Sequence, residues 1–235
     1  MIHAKNLNKK YGKLKVLKNL DLHIAKGGIF SILGPNGSGK TTLIKCLLGL
    51  VIPESGEILL NSENIINKYS YRKNIDYLPQ IANFPPNLKV NELIKMIKDL
   101  RNKETRNEEL IKIFGLQEFL DKKLANLSGG TKQKVNLLLA FMFNSPIVIL
   151  DEPTSGLDPI ALLQLKKIIL SEKANGKTII ITSHIMNFVE EMSDEIVFLL
   201  DGKIYFQGSI SELKSRTQQK DLEHAIASIL KSEND

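Results

Sequence analysis

The chain has 235 residues, of which 43% are hydrophobic and 25% charged, and its 32 Lys and Arg exceed its 26 Asp and Glu by six. This is the composition of an ordinary soluble globular protein, and no apolar run reaches the roughly 18 residues that a membrane-spanning helix needs. The N-terminus also lacks the apolar stretch of a signal peptide, so we expect a cytoplasmic protein.

The basic charge, the cysteine and the histidines do not indicate a function by themselves. The lysines alternate with acidic residues and form no patch with aromatic residues, so we interpret them as a solvated surface and expect no nucleic-acid partner. Cys46 lies in an apolar helical run and is interpreted as core packing. His3, His23, His184 and His224 show no metal-ligand spacing.

The first third of the chain has the pattern of strands around one glycine-rich loop. "IHAKNL", "KVLKNLDLHI", "SGEILLN" and "NIDYLPQ" are predicted strands. The apolar run "GGIFSILG", bounded by glycines, predicts a fully buried strand. It leads into "GPNGSGKTT", after which "TTLIKCLLGL" is apolar and helical.

The glycine-rich loop matches the pattern G-x-x-x-x-G-K-[ST] in the strand–loop–helix context that phosphate binding requires. Glycines allow successive N–H groups to curl around phosphate oxygens at the positive end of a helix. Lys40 is expected to reach the β- and γ-phosphates, and the Thr41 hydroxyl to bind Mg²⁺. The candidate phosphate-binding residues are Gly34, Pro35, Asn36, Gly37, Ser38, Gly39, Lys40, Thr41 and Thr42.

Residues 81–143 are charged and helical in pattern, and they predict a helical subdomain that begins at the hinge "NFPP". A buried strand, "IVILDEP", follows and places Asp151 and Glu152 at its carboxyl end. Asp151 suits Mg²⁺ binding, and Glu152 suits the polarisation of an attacking water.

The last third alternates again between strands and helices. "PIALLQLKKIILSEK" and "IMNFVEEMS" predict helices, and "KTIIITSH" predicts a strand. Asp201-Gly202 predicts a tight hairpin turn, and "SISE" has the pattern of a helix capping box. Apolar residues at Leu222, Ala225, Ile226, Ile229 and Leu230 predict an amphipathic tail helix that packs on its own domain or on a partner subunit.

These motifs, in this order, resemble the nucleotide-binding subunit of an ATP-binding cassette (ABC) transporter. The resemblance rests on "GPNGSGKTT", the glutamine of "YLPQ", "LSGGTKQK", "ILDEP", "SGLD" and the histidine of "TSH", and it covers essentially the whole chain. It implies an α/β fold, a P-loop NTPase core with an antiparallel β subdomain and an inserted helical subdomain. The boundaries expected within a single domain, residues 1–235, are 1–80 and 144–208 for the core, 81–143 for the helical subdomain and 209–235 for the C-terminal helix.

The resemblance also implies roles for single residues. Gln80 is similar to the glutamine that binds Mg²⁺ and water, and His184 to the histidine that contacts the γ-phosphate. Asp158 is similar to the aspartate that links two ATP sites. Tyr11 resembles the aromatic residue that stacks on adenine, with Val16 beside it, although the sequence alone leaves stacking and simple burial of Tyr11 equally open.

"LSGGTKQK" resembles the signature motif of the family. In that family Ser128, Gly129 and Gly130 bind the γ-phosphate of an ATP that another subunit holds, so the resemblance implies a dimer, expected to be a homodimer, around two ATP molecules. Thr131 and Lys134 depart from the usual glutamine and arginine, which leaves open how the helix start is braced. This form is most similar to the ATPase of the copper-related transporter that serves nitrous oxide reductase maturation.

The resemblance implies ATP and Mg²⁺ as cofactors and a separate membrane subunit as partner, with a possible periplasmic accessory protein. The chain would then lie on the inner face of the cell membrane. Two other readings stay open: an ABC ATPase that acts on ribosomes or DNA, and a regulatory module without hydrolysis. The single cassette with a short helical insertion disfavours the first, and intact Glu152 and His184 disfavour the second.

Overall fold

A computed structural model describes residues 1–232, and the chain divides into two compact units. The first contains Met1–Tyr71 and Ile180–Asp235, and the second contains Arg72–Ile179. The division falls within strand β8 (Thr178–Thr182). The boundaries expected for core, helical subdomain and C-terminal helix stay a prediction, and residues 233–235 of the last lie outside the described part of the chain.

The first unit begins with an antiparallel sheet of four strands in the order β2-β1-β4-β5. The strands are β1 (Ile2–Tyr11), β2 (Leu14–Ile24), β4 (Ser55–Leu60) and β5 (Glu63–Asn64). Strand β1 continues four residues beyond the predicted "IHAKNL", because its pairing with β2 runs on to Tyr11 opposite Leu14.

A second sheet of the first unit contains β3 (Gly28–Leu33), β9 (Glu195–Leu200) and β10 (Lys203–Gly208), in the order β10-β9-β3-β8. Strand β3 runs parallel to β9, and β9 and β10 form a hairpin. Asp201 and Gly202, with φ of 46° and 78°, form its two-residue turn, as predicted. A Cβ at Gly202 would lie 2.4 Å from the carbonyl oxygen of Val16, so the turn requires glycine.

Within residues 1–232, the α-helices of the first unit are α1 (Lys40–Leu47), α6 (Met186–Met192), α7 (Ile210–Thr217) and α8 (Leu222–Ser232). Ser209 caps α7 by accepting a hydrogen bond from Glu212 N at 3.1 Å. The apolar side chains of α8 are buried with Phe198, Phe206 and Leu213 in one cluster. The tail helix therefore packs on its own unit, as its pattern allows.

In the second unit, β6 (Ile75–Leu78) pairs in parallel with β7 (Ile147–Asp151), and β7 lies between β6 and β8. The helices are α2 (Val90–Arg101), α3 (Asn107–Ile113), α4 (Gly129–Phe141) and α5 (Pro159–Ala174), with 3-10 turns at Gln117–Phe119 and Leu124–Asn126. Residues 81–143 are thus largely helical, as predicted. No helix within residues 1–232 has the length and apolar character to cross a membrane.

Two buried carboxylates of the second unit lie next to basic side chains. Asp76 contacts Arg101, the last residue of α2, and accepts a hydrogen bond from Ser145 N at 3.3 Å. Glu172 of α5 lies 2.5 Å from the guanidinium of Arg106 and also contacts Lys177. A buried carboxylate is tolerated only when it is paired in this way.

Candidate active site

The glycine-rich loop of the first unit connects β3 to α1 and packs closely at two of its glycines, of which Gly34 has no room for a side chain. A Cβ at Gly34 would lie 2.0 Å from the carbonyl oxygen of Leu199, in β9. Gly39 precedes α1 with φ of 110°, and a Cβ there would lie 3.0 Å from the carbonyl oxygen of Val16. The strands thus fix the path of the loop, as a cradle for phosphate oxygens requires.

The polar side chains of this loop fit an anionic ligand. Lys40, the first residue of α1, donates to the carbonyl oxygens of Gly34 at 2.6 Å and Pro35 at 3.1 Å, so its ammonium curls back over the loop. Ser38 is 3% exposed, and its hydroxyl has no hydrogen-bond partner within residues 1–232. A buried hydroxyl of this kind is costly unless a ligand or water satisfies it. The hydroxyl-bearing Thr41 is exposed and Thr42 is half-buried.

Tyr11 and Val16 stand on the β1–β2 hairpin. The Tyr11 ring is 48% exposed, with the Lys9 ammonium 5.3 Å from its centroid, which removes simple burial as its role. Val16 is half-buried, and its carbonyl oxygen faces both Gly39 of the loop and the Gly202 turn. The structure therefore places the Val16 backbone against the end of the glycine-rich loop.

His184 follows β8 in the first unit and is exposed. Ser183, which is buried, accepts a hydrogen bond from Ile185 N at 3.1 Å through its hydroxyl. This turn between β8 and α6 presents His184 on the surface.

In the second unit, the parallel register of β6 and β7 brings three predicted residues to one sheet edge. Leu78 lies opposite Leu150, so Gln80 and Asp151 leave the paired strands at the same end. Asp151 is 3% and Glu152 7% exposed, whereas Gln80 is exposed. Burial, and then the Asp151 charge, raises the pKa of the Tyr77 phenol to about 12.

Glu152 has φ of 51°, which a residue with a Cβ rarely adopts. Such strained backbone is concentrated at functional sites. The nearby Thr154 hydroxyl is buried and has no hydrogen-bond partner in the part of the chain that the structure describes. The sequence patterns did not single out Thr154.

The signature stretch forms the start of α4, with Ser128 as its cap. The Ser128 hydroxyl accepts from Thr131 N at 3.2 Å, and the two hydroxyl oxygens of Ser128 and Thr131 lie 2.9 Å apart. Ser128 and Gly129 are exposed, and a Cβ on Gly129 would meet nothing within 4 Å. The start of α4 is therefore open to solvent at Ser128 and Gly129, and an anion is favoured at such a helix end.

The first two turns of α4 are braced against the segment that follows β7. A Cβ on Gly130 would lie 2.8 Å from the Gly156 carbonyl oxygen. Gln133 donates to the carbonyl oxygen of Pro153 at 3.1 Å, and Lys134 Nζ lies 2.6 Å from Asp158 Oδ2. The two residues that depart from the usual signature therefore both brace the start of α4. The Thr131 hydroxyl contacts the Ser128 hydroxyl, and Lys134 forms an ion pair with Asp158.

Asp158 also caps α5, accepting a hydrogen bond from Ala161 N at 2.8 Å. The hydrogen bond from Lys134, followed by that from Ala161 N, lowers the pKa of the Asp158 carboxyl. Further along α4, Asn136 donates to the Pro79 carbonyl oxygen at 3.2 Å, next to Gln80. Sequence reasoning missed Gln133 and Asn136, although Gly130, Gln133 and Lys134 have the i, i+3, i+4 spacing of one helix face.

Comparison with known proteins gives the family. A family model described as ABC transporter matches residues 17–155, more than half of the chain. The lantibiotic transport ATP-binding protein SrtF of Streptococcus pyogenes is 35% identical over 88% of this chain and 90% of its own length. The bacitracin transport ATP-binding protein BcrA of Bacillus licheniformis is 33% identical over 93% of this chain and 73% of its own length.

Solved structures agree with this result. The ATP-binding subunit of an ABC transporter superposes with a TM-score of 0.91 at 27% identity and covers 98% of this chain and 99% of its own. A dimeric ATP-binding cassette in a post-hydrolysis state, bound to ADP and phosphate, gives a TM-score of 0.78 at 27% identity, over 89% of this chain and 98% of its own. The α/β fold of the P-loop NTPase cassettes is thereby confirmed. The chain therefore belongs to the ATP-binding subunits of ABC transporters, which bind and hydrolyse ATP, dimerise and pair with membrane subunits.

Proposed function

We propose that two copies of this chain enclose two ATP molecules, each bound by the glycine-rich loop of one copy and the start of α4 of the other. The observation that carries the proposal is the presence of two anion-binding helix starts in one chain. One is the tightly packed loop before α1, with the unsatisfied Ser38 hydroxyl and Lys40. The other is the exposed, Ser128-capped start of α4.

In this proposal the loop residues bind phosphate oxygens through backbone N–H groups, Lys40 supplies positive charge, and Tyr11 and Val16 contact the adenine. Ser128, Gly129 and Gly130 bind the γ-phosphate of the ATP on the other copy. Asp158 links the two sites, and its ion pair with Lys134 ties that link to α4.

Glu152 polarises the attacking water, and His184 contacts the γ-phosphate. The oxygen atoms of Thr41, Gln80 and Asp151 are the donors that Mg²⁺ prefers. When bound, Mg²⁺ neutralises charge on the phosphate oxygens. The burial of Asp151 and the left-handed backbone of Glu152 support these roles.

We further propose that residues 81–143 act as the helical subdomain and residues 1–80 with 144–208 as the core. The partner of the dimer would be a separate membrane subunit on the inner face of the cell membrane, with an accessory protein on the outer side. Nucleic acid is not a partner in this proposal.

Two cargo classes have specific support. The names of the relatives SrtF and BcrA favour transport of peptide antibiotics. The signature motif with Thr131 and Lys134 resembles that of the ATPase that serves nitrous oxide reductase maturation. This resemblance favours a copper- or sulfur-related cargo. Deleting the gene in its host distinguishes them: sensitivity to lantibiotics or bacitracin supports the first, and copper-deficient nitrous oxide reductase supports the second.

The enzymatic proposal is tested with Glu152→Gln. This variant keeps ATP binding, nearly abolishes turnover and accumulates as a dimer in size-exclusion chromatography with ATP. Lys40→Ala is the control, because it loses nucleotide binding and stays monomeric. Normal turnover by a Glu152→Gln protein that remains monomeric with ATP would contradict the proposal.

A further inference from the structure

Two histidines that are twenty residues apart in sequence meet on the antiparallel sheet of the first unit. The register of β1 with β2 places His3 directly opposite His23. Their Nδ1 atoms are 3.1 Å apart, their ring centroids 4.1 Å apart, and their planes are inclined by 59°. His3 is half-buried and His23 exposed, so an ion from solvent can reach both rings. The sequence reading, which found no metal-ligand spacing among the histidines, missed this pair because strand register creates it.

The separation of the two nitrogen atoms suits two neighbouring ligands of one metal ion. With both metal–nitrogen bonds at about 2.0–2.1 Å, a 3.1 Å separation gives an angle at the metal of roughly 100°. This value lies between a right angle and the tetrahedral angle, so the pair fits square-planar and tetrahedral ions alike.

The backbone holds both histidines in place before any ion arrives. His3 lies in a strand that pairs on both sides, with His23 in β2 and Leu59 in β4. The side-chain amide of Gln207, in β10, forms two hydrogen bonds with the His23 backbone. Its Oε1 accepts from His23 N at 3.4 Å, and its Nε2 donates to His23 O. A site on paired strands loses little conformational entropy when it binds its ligand.

The charges around the pair select the class of ion. Burial first, and then His23, the N-terminal ammonium and Lys5, lower the pKa of His3, which favours its neutral ring. A neutral imidazole has a nitrogen lone pair that can bind a metal ion. Without an ion, the Nδ1 lone pair of one ring accepts a hydrogen bond from Nδ1–H of the other. The Lys5 ammonium opposes bound cations, so a hard ion held by charge alone, such as Mg²⁺ or Ca²⁺, is disfavoured relative to one that prefers nitrogen.

We propose that His3 and His23 form a two-imidazole binding site for a divalent first-row transition metal ion of the Zn²⁺, Ni²⁺ or Cu²⁺ class, with water completing its coordination. The bound ion bridges β1 and β2. This site is independent of the proposed ATP chemistry, and its test uses protein without nucleotide.

The experiment is isothermal titration calorimetry of the full chain with Zn²⁺, and separately with Ni²⁺, at pH 7.5. The wild type is expected to bind one ion per chain, and His23→Asn and His23→Gln to bind it at least tenfold more weakly. His224→Asn is the matched control, because His224 is an exposed histidine on α8 whose ring lies next to Asp221 and away from the His3–His23 pair in sequence. It is expected to keep the affinity of the wild type.

Protons compete with the metal for the same nitrogen atoms, so wild-type affinity falls as the pH is lowered from 7.5 to 5.5. Far-UV circular dichroism and retained ATP binding verify that the His23 variants are folded. Equal affinity of the wild type and both folded His23 variants would overturn the proposal. It would show that His23 is not a ligand, even if His3 binds the ion without it. Loss of binding in His224→Asn, or no binding by the wild type, overturns it as well.

Discussion

Replacing Thr131 with valine removes one hydroxyl at the start of α4 and leaves the branched shape of the side chain unchanged. The Ser128 oxygen has two lone pairs and one proton. It accepts from Thr131 N at 3.2 Å, and the Thr131 hydroxyl lies 2.9 Å away. When Thr131 donates this second bond, both lone pairs of Ser128 are used, and the Ser128 proton is directed outward, towards a phosphate oxygen.

The Ser128–Thr131 hydrogen bond exists in the monomer as well, so its own loss cancels in the dimer equilibrium. The dimer is weakened because the Ser128 proton is no longer directed towards the phosphate, which costs about 1 kcal/mol per site. A symmetric dimer contains the pair twice, so the dimer is destabilised by about 2 kcal/mol, or roughly 30-fold in its dissociation constant. Threonine and valine have similar helix propensities, so α4 itself is little affected. Thr131→Ser keeps the hydroxyl and is expected to stay near the wild type.

The assay is sedimentation velocity with ATP, with Thr131→Val and Thr131→Ser each placed in the Glu152→Gln background. ATP affinity of the monomer, measured at low protein concentration, is expected to be unchanged in both. Equal dimer dissociation constants for Thr131→Val and the Glu152→Gln parent would refute the reasoning. Weaker ATP binding by the Thr131→Val monomer would place the hydroxyl in a different role.

Three further predictions follow from single contacts. Gly34→Ala is expected to abolish ATP binding measured by calorimetry, because its Cβ would lie 2.0 Å from the Leu199 carbonyl oxygen. Gly37 has free space around it but a φ of 82°, so Gly37→Ala should lower the free energy of unfolding in urea by only about 1–2 kcal/mol. Arg101→Leu leaves the buried Asp76 carboxylate unpaired and is expected to lower the free energy of unfolding by about 3–5 kcal/mol. Arg216→Leu, at an exposed position, is the control and should change that free energy little. Equal losses in the two variants would contradict the pairing of Arg101 with Asp76. The lowered pKa of Asp158 stabilises the folded chain above the ordinary value of 3.8, and this stabilisation is lost as the pH falls through the folded value. Urea unfolding should therefore show Asp158→Asn less stable than the wild type at pH 7, with a difference that shrinks as the pH is lowered below 3.8. A pH-independent difference would exclude the carboxylate charge as its cause.

The features that depend on a few neighbouring residues were predictable from the sequence. The glycine-rich loop, the Asp201-Gly202 turn and the Ser209 cap follow from local backbone geometry, and the structure contains all three. The apolar face of the tail helix likewise predicted its burial, because residues three and four apart share a helix face.

The sequence by itself thus determined the order of the motifs and the two helix starts that suit phosphate, because each is written in consecutive residues. Only the tertiary structure decided the exposure of Tyr11, the ion pair of Lys134 with Asp158 and the meeting of His3 with His23. These features depend on how separate segments pack. The ion pair requires one face of α4 to contact the segment after β7, and the histidine pair requires one strand register out of several that the alternating pattern allows. A shift of that register by one residue would separate the two histidines, and no local pattern around either of them records it.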